Sequence, residues 1–329
     1  MILESPPPPL LNKIGLSYRM GINISVDFHN LGGLQLSDPG SLLGSTVNRN
    51  YDNGYNRVDV SGNAGGLTWY WGYTSPQSAQ GGNLALQSDS TPATATTGSY
   101  QHHPQSGAEL SYEREFKRAK HWRLGAEAAF GYEAVSISAN DTLSYFVNRT
   151  SDTYPLNGII PPQAPYFGTF EGPGPLIPSM PSGRTTTVLP ASATIIGDRK
   201  IDSDVFTLRL GPYFEVPLSR KFLVALYGGL TLAVADTQFT FSETVIISDP
   251  LYNINLVSTP RSGSGSQTDF LVGGYGGANL SYLISDRVSL FGGAMYQAAG
   301  EAINHQSGKE SVLNLGKSVI FTIGAKYSF

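Results

Sequence analysis

Residues 13–28 read KIGLSYRMGINISVDF and alternate without a break between two kinds of side chain. All even positions are apolar or aromatic, and all odd positions are polar, charged or glycine. Because successive side chains of a strand point to opposite faces, this segment predicts one strand with an apolar and a polar face. Strands of globular proteins usually run about 5–6 residues. Sixteen alternating residues are enough to cross a bilayer even when the strand is tilted.

The same alternation recurs seven more times along the chain. It predicts strands at 106–116, 122–134, 204–216, 222–241, 268–284, 288–298 and 315–329. The connections between these strands alternate strictly between long (29–105, 138–203, 242–267, 299–314) and short (117–121, 217–221, 285–287). All long connections therefore share one end of the strands, and both chain ends share the other. This plan is typical of bacterial outer-membrane barrels, with termini in the periplasm and long loops outside the cell.

The fold class predicted is all-β, an eight-stranded antiparallel up-and-down transmembrane β-barrel. Residues 66–73 and 83–88 leave an alternative open: they form a hairpin above the membrane, or they add two strands for a total of ten. Residues 13–329 are expected to form one barrel domain with large outer loops at 29–105 and 138–203. Residues 1–12 are expected to be a proline-rich periplasmic leader.

Composition excludes several classes of function. The 329 residues include 21 Lys and Arg, 25 Asp and Glu and no cysteine. A net charge of −4 leaves no electrostatic footprint for nucleic acid. Without cysteine there is neither a disulfide framework nor a thiol nucleophile, and no residue spacing matches a metal or cofactor site, so none is predicted.

The position of the aromatic residues predicts that the apolar face meets lipid. They fall in two rows about ten residues apart, which corresponds to a rise of roughly 25 Å, the height of a lipid-facing band between aromatic girdles. Phe28 is expected in the row near the long loops. The other predicted girdle residues are Phe116, Trp122, Phe130, Phe206, Phe214, Phe222, Phe270, Tyr282, Tyr296 and Tyr327.

The opposite face carries charges of both signs and is predicted to line a narrow lumen. Charges enclosed in such a space need partners, because an unpaired buried charge is strongly destabilising. The residues predicted to form this polar network are Lys13, Arg19, Asp27, Glu109, Glu113, Arg123, Glu127, Glu133, Arg209, Glu215 and Lys326.

The chain ends with KSVIFTIGAKYSF, in which Phe321, Ile323, Tyr327 and Phe329 stand in phase. With this ending, the strand plan resembles the small bacterial outer-membrane β-barrels of the OmpA/OmpX type. The resemblance implies that these four residues are a signal read by the barrel-assembly machinery. It also implies contact with outer-membrane lipid and lipopolysaccharide.

The leading functional prediction is a structural or surface-interaction protein and not an enzyme. An eight-stranded barrel has room inside only for side chains, so its outer loops are expected to pack against neighbouring copies or extracellular ligands. One alternative is a narrow channel for small solutes. Another is a hydrolase at the outer rim that uses His29, His102 or His103 with a carboxylate.

Overall fold

The computed structural model describes residues 11–43, 47–59, 65–101 and 104–329. The first ten residues of the expected leader, and the candidate catalytic pair His102 and His103, lie outside these ranges. Almost all regular structure in the described residues is antiparallel strand, with one short 3-10 helix at Pro76–Ser78. No helix in these ranges has the length and apolarity that spanning a membrane requires.

Eight strands form a closed ring in which each pairs with its two neighbours and the last strand pairs with the first. They are β1 (Asn12–Ile22), β2 (Gln105–Arg118), β3 (Arg123–Ala139), β4 (Gly183–Pro217), β5 (Phe222–Asp249), β6 (Arg261–Leu283), β7 (Val288–Ala298) and β8 (Ser318–Ser328). The start of β1 and the end of β8 meet beside the short turns, where the Asn12 amide donates to the Phe329 carbonyl at 3.1 Å. Each strand of the ring overlaps one of the eight segments in which alternation predicts a strand, although the bounds differ.

The register fixes how the strands lean. Following paired neighbours once around the ring from Asn12 leads back to β1 at Ile22, ten residues further along. Eight strands about 4.8 Å apart, closed with a shift of ten residues of about 3.3 Å each, must tilt by roughly 40° from the ring axis. The interior of such a ring is narrow, so its contents are side chains.

Strands β3 to β6 continue well beyond the level at which the other four end, and their outer face changes character at one register row. The last apolar row on the outside contains Tyr132, Phe206, Val234 and Phe270, which are direct partners. The next outward row contains Ala134, Asp204, Asp236 and Thr268, again direct partners. The outward residues between this level and the short turns are called the apolar band below.

The inner face changes in the opposite sense at the same level. Inside the band it carries charged residues such as Glu133, and beyond the band it carries buried Val135, Ile137 and Ile201. A three-stranded sheet of Ser25–His29, Glu301–Gln306 and Lys309–Asn314 packs against this apolar surface. Beyond the band the fold is thus an ordinary two-layer structure with an apolar core, which we call the lower head.

The predicted strand 13–28 is two strands, and this is a correction. The chain breaks at Asn23, whose φ is +61°, and resumes as Ser25–His29 in the three-stranded sheet. The apolar residues stay at even positions, but they face outward before the break and into the lower head after it. Asp27 is therefore not in the lumen, and Phe28 is fully buried, with its ring stacked 5.6 Å from Phe239.

The long connections are also more regular than expected. The described residues of 29–105 and 138–203 contain strands at Leu34–Gln35, Arg49–Tyr51, Gly54–Asn56, Leu67–Thr68, Trp71–Tyr73, Ala79–Gln80, Asn83–Thr91, Thr142–Pro155, Tyr166–Phe167 and Ile177–Pro178. A further strand, Ile254–Val257, pairs with β5. Both expectations for residues 66–88 fail, since Asn83–Thr91 pairs with Thr142–Pro155 and joins neither the ring nor Trp71–Tyr73.

Leu34, Ile254 and Leu256 of these strands pack in the core of the lower head. Most of the other strands form an upper head around a second apolar cluster. Trp71, Tyr73, Leu84 and Leu86 are almost fully enclosed there. Trp71 lies in the core of the large loop because its indole Nε1 donates to the Pro175 carbonyl at 2.8 Å and its ring stacks on Tyr73. The Pro-rich segment 155–182 therefore packs onto this core.

The sequence places Phe28 and Phe270 in one aromatic row, whereas the structure buries the first and exposes the second. Replacing each of them tests this difference. We expect Phe28→Ala to lower the stability of the lower head by about 3–5 kcal/mol, because it leaves a cavity in a packed core. The matched control, Phe270→Ala, removes a ring that is 81 % exposed and should change the stability in detergent by about 0.5 kcal/mol or less. Urea unfolding followed by limited proteolysis measures both; equal losses would contradict the assignment.

Candidate functional site

The interior of the ring is filled by a connected set of ion pairs. Near the short turns, the Lys13 Nζ lies 2.7 Å from Glu215 and 3.3 Å from Glu113. Lys326 also pairs with Glu113, and Arg123 pairs with Glu215 at 3.0 Å. Each carboxylate here therefore has two cationic neighbours.

The network continues upward through two arginines. Arg209 joins Glu109 at 2.7 Å and Glu127 at 3.1 Å. Arg19, which has no solvent exposure, pairs with Glu109 and Glu133 at 3.3 Å each. A charged group enclosed this way is retained only because its partners replace the lost hydration.

Contacts of the two arginines with uncharged residues fill the rest of this level of the ring. Arg19 also donates to the Thr207 hydroxyl at 3.0 Å, and any side chain at Gly131 would collide with its guanidinium. On the other side of the lumen, the Arg209 guanidinium lies 4.6 Å from the ring centre of Tyr275 and 5.8 Å from that of Tyr227. The lumen is therefore occupied across its width.

The structure brings together ten of the eleven residues predicted for the polar network, and Asp27 is the one that it places elsewhere. The ten predicted girdle residues all lie on the outside of the ring, where Trp122 stacks on Phe214 with ring centres 6.0 Å apart. Phe321, Ile323, Tyr327 and Phe329 face outward along and after β8. Stacking of Tyr327 on Phe329 at 6.4 Å extends the aromatic row to the end of the chain.

A second closure lies above the lumen. The apolar core of the lower head fills the extended part of the ring, and the segment around Gly32 covers it. The Gly32 carbonyl accepts from Lys309 at 3.0 Å and from Arg261 at 2.8 Å. Glu243 pairs with both cations at 2.8 Å. Burial lowers the pKa of the Lys309 ammonium, while the Glu243 partner opposes that shift.

Ion pairs also tie the two heads together. Arg149 bonds Asp89 and Asp249 at 2.7 Å each, so it joins the upper head to β5.

Two buried tyrosines lie in the upper head. The Tyr51 hydroxyl donates to Asp152 at 2.5 Å. Burial together with the neighbouring Tyr154 and this carboxylate raises the Tyr51 pKa far above its ordinary value. Burial also raises the pKa of Tyr154 to about 12. These tyrosines therefore stay protonated and serve as structural donors.

The surface of the upper head exposes apolar and aromatic side chains. Ile160 is 90 % exposed and Phe167 61 %, and Phe170 packs edge-on against Tyr70, which packs against Tyr55. We call these five residues the tip patch. Sequence reasoning missed it, and the only available signal was the density of aromatic residues between prolines.

Of the three candidate catalytic histidines, the described residues contain His29. The His29 Nδ1 lies 3.2 Å from the Thr96 hydroxyl, and no carboxylate is among its recorded contacts. No group of three or more His, Asp or Glu side chains in these ranges is arranged to hold a metal ion.

No family model matches the chain, and no curated protein matches it. Among solved structures it is similar to Ail, the attachment invasion locus protein of Yersinia pestis, in complex with the heparin analogue sucrose octasulfate (11 % identity, TM-score 0.32, 98 % of this chain and 100 % of that one). It is also similar to the outer membrane protease OmpT from Escherichia coli (10 %, 0.30, 99 % and 99 %). A third is the outer membrane protein OprG from Pseudomonas aeruginosa (13 %, 0.30, 98 % and 99 %).

Replacing Arg19 tests the paired lumen. We expect Arg19→Met to cost about 3–5 kcal/mol, because Glu133 is left as a buried charge without its partner. Lys200→Met is the matched control, since it breaks an exposed pair with Asp202 on the outside of β4 and should cost about 1 kcal/mol or less. Unfolding by urea in detergent micelles compares the two; an Arg19 variant as stable as the Lys200 variant would exclude the network as a structural element.

Proposed function

We propose that this chain is an eight-stranded transmembrane β-barrel of the bacterial outer membrane that displays a large head outside the cell. The apolar band supports the location, since it surrounds the ring between two aromatic rows and ends at one register row. The pairing around the ring also supports it, because a closed ring leaves no unpaired backbone in hydrocarbon. The termini and short turns would lie in the periplasm, with lipid and lipopolysaccharide around the band.

The observation that carries the functional proposal is the double closure of the ring. Charged side chains fill the lumen within the band, and the apolar core of the lower head fills the same axis above it. A solute would have to break both ion pairs and core packing to pass. We therefore favour a structural or surface-interaction role over a narrow channel.

The tip patch is the surface proposed to interact. Exposed aromatic residues on a rigid base lose little entropy on binding and are enriched at interaction hot spots. The two ion-paired heads provide such a base, and the patch lies on the surface of the upper head. Extracellular ligands or neighbouring copies are the proposed partners, and no catalytic step is proposed.

The last strand is proposed to be read by the barrel-assembly machinery. Phe321 and Ile323 project outward from β8, and Tyr327 and Phe329 follow in phase. These side chains are not needed for the lumen, so their outward row is available to another protein before insertion.

Conductance tests the closure. We expect the purified protein, inserted into planar lipid bilayers, to show no steady current steps, because neither the charged lumen nor the lower head leaves a continuous water path. Insertion is verified in the same preparation by a shift in gel mobility between unheated and heated samples. Reproducible ohmic steps from folded protein would favour the channel alternative.

Labelling tests the orientation. The chain has no cysteine, so Ile160→Cys in the tip patch and Arg220→Cys in a short turn give single thiols. A maleimide that cannot cross the outer membrane should label Ile160→Cys on intact cells and Arg220→Cys only after the cells are opened. The reverse pattern would contradict the proposed orientation.

Replacement of the tip aromatics tests the interaction. Cells that display the wild-type protein are expected to bind members of an array of oligosaccharides and extended peptides. Phe167→Ser with Phe170→Ser should weaken that binding by about tenfold or more, the effect expected of hot-spot residues. The control is Leu251→Ser, which changes an exposed residue elsewhere in the head. Equal binding by both variants would exclude the tip patch.

A further inference from the structure

One cation interrupts the apolar band. Arg114 of β2 points outward between Tyr112 and Phe116, and its side chain is exposed. Within the described residues its guanidinium has no recorded ion pair, hydrogen bond or ring contact. An arginine on the lipid face of a barrel costs about 2–4 kcal/mol at the midplane and about 0–1 near the interface. Its position therefore calls for an anionic partner at the membrane surface.

Arg114 lies close enough to the membrane surface to reach an anionic partner there. It precedes Phe116 by two residues, which at about 3.3 Å per residue and the tilt above places it roughly 5 Å inside the aromatic row. A long basic side chain reaches that distance while its stem stays in the apolar layer. Beyond Phe116, the register shift between Glu115 and Lys117 turns Lys117 outward beside Leu124. Two cations thus flank one phenylalanine on the outer surface.

A groove starts at Arg114 and runs along the outside of β2, β3 and β4. Its volume is about 590 Å³, within the range of roughly 300–1,000 Å³ common for ligand sites. The small residues Ala126 and Ala128 form its outward floor, and Tyr112, Leu124 and Leu210 rise on its sides. The carboxylate of Glu127, which also borders this region, is paired with Arg209 inside the ring.

We propose that this groove binds one glycerophospholipid from the leaflet beside the short turns. The phosphate lies between Arg114 and Lys117, and an acyl chain lies over Ala126 and Ala128. Charge complementarity identifies the headgroup, because phosphate is the anion that lipids present at this depth. The inference rests on the proposed membrane location.

A second groove on the band provides an internal comparison. It has a volume of about 500 Å³ and lies around Leu280, Ile323 and Ala325 on β6 and β8. No charged residue lines it. This groove has an apolar surface but no cation to bind a phosphate. It is therefore expected to hold lipid tails without selecting a headgroup.

Native mass spectrometry of the folded protein in detergent tests the site, with phosphatidylglycerol as the probe and diacylglycerol as the lipid without phosphate. We expect wild type to retain one phosphatidylglycerol in preference to diacylglycerol. Arg114→Gln should weaken this binding about tenfold, as expected for loss of a charge-assisted bond of roughly 1.5 kcal/mol. Arg114→Lys should retain most of it.

Two groove variants test the acyl-chain part. Ala128→Phe should fill the floor and weaken binding, whereas Ala325→Phe in the second groove should bind as wild type does. Either of two results would overturn the site and leave annular lipid only. One is equal phosphatidylglycerol binding by wild type and Arg114→Gln, and the other is an equal effect of the two Phe substitutions. Insertion into vesicles of phosphatidylglycerol and phosphatidylethanolamine tests the proposed membrane location separately from the proposed lipid site. Wild type that inserts but shows no selective lipid overturns only the lipid site, and wild type that does not insert overturns both.

Discussion

Charges inside a ring of eight strands have almost no water, so they must neutralise one another. Arg19 and Arg209 pair with Glu109, Glu127 and Glu133, and over the whole lumen network five cations face five carboxylates. The rest of the structure depends on this balance. A ring with a shift of ten residues is just wide enough for this layer of side chains. Paired charges take up much of the lumen, and a small cluster of Tyr213, Tyr227, Tyr275, Met295 and Ile320 packs beside them. Most apolar side chains of the ring therefore lie on its outside, where they form the band.

In the lower head the same strands carry their apolar residues on the inner face instead of the outer face. Beyond the row of Asp204 and Asp236 the outer face is polar, and the inner face becomes an ordinary apolar core. Along the continuous strands β4 and β5, the apolar side chains therefore change from the outer to the inner face. This exchange closes the ring axis a second time and gives the head a rigid base in β3 to β6.

The period-two alternation was sufficient to predict the ring strands, because pairing partners and turn lengths follow from it. It was not sufficient beyond the band. Around Asn23 the even positions stay apolar while their surroundings change from outside to core, so Asp27 and Phe28 were misplaced. In β3 the apolar residues move from even to odd positions at Val135 and Ile137, a phase change that marks the head. Most strands of the upper head are only two or three residues long, too short to show a period.

Accessibility of spin labels along β5 tests the central claim most directly. Single cysteines at successive positions from Val224 to Thr240, labelled in lipid vesicles, report exposure to oxygen in hydrocarbon or to a water-soluble nickel complex. The account predicts oxygen exposure at even positions up to Val234, nickel exposure at even positions from Asp236 onward, and low exposure to both at odd positions. Nickel exposure at Leu226, Leu230 and Leu232 would contradict it.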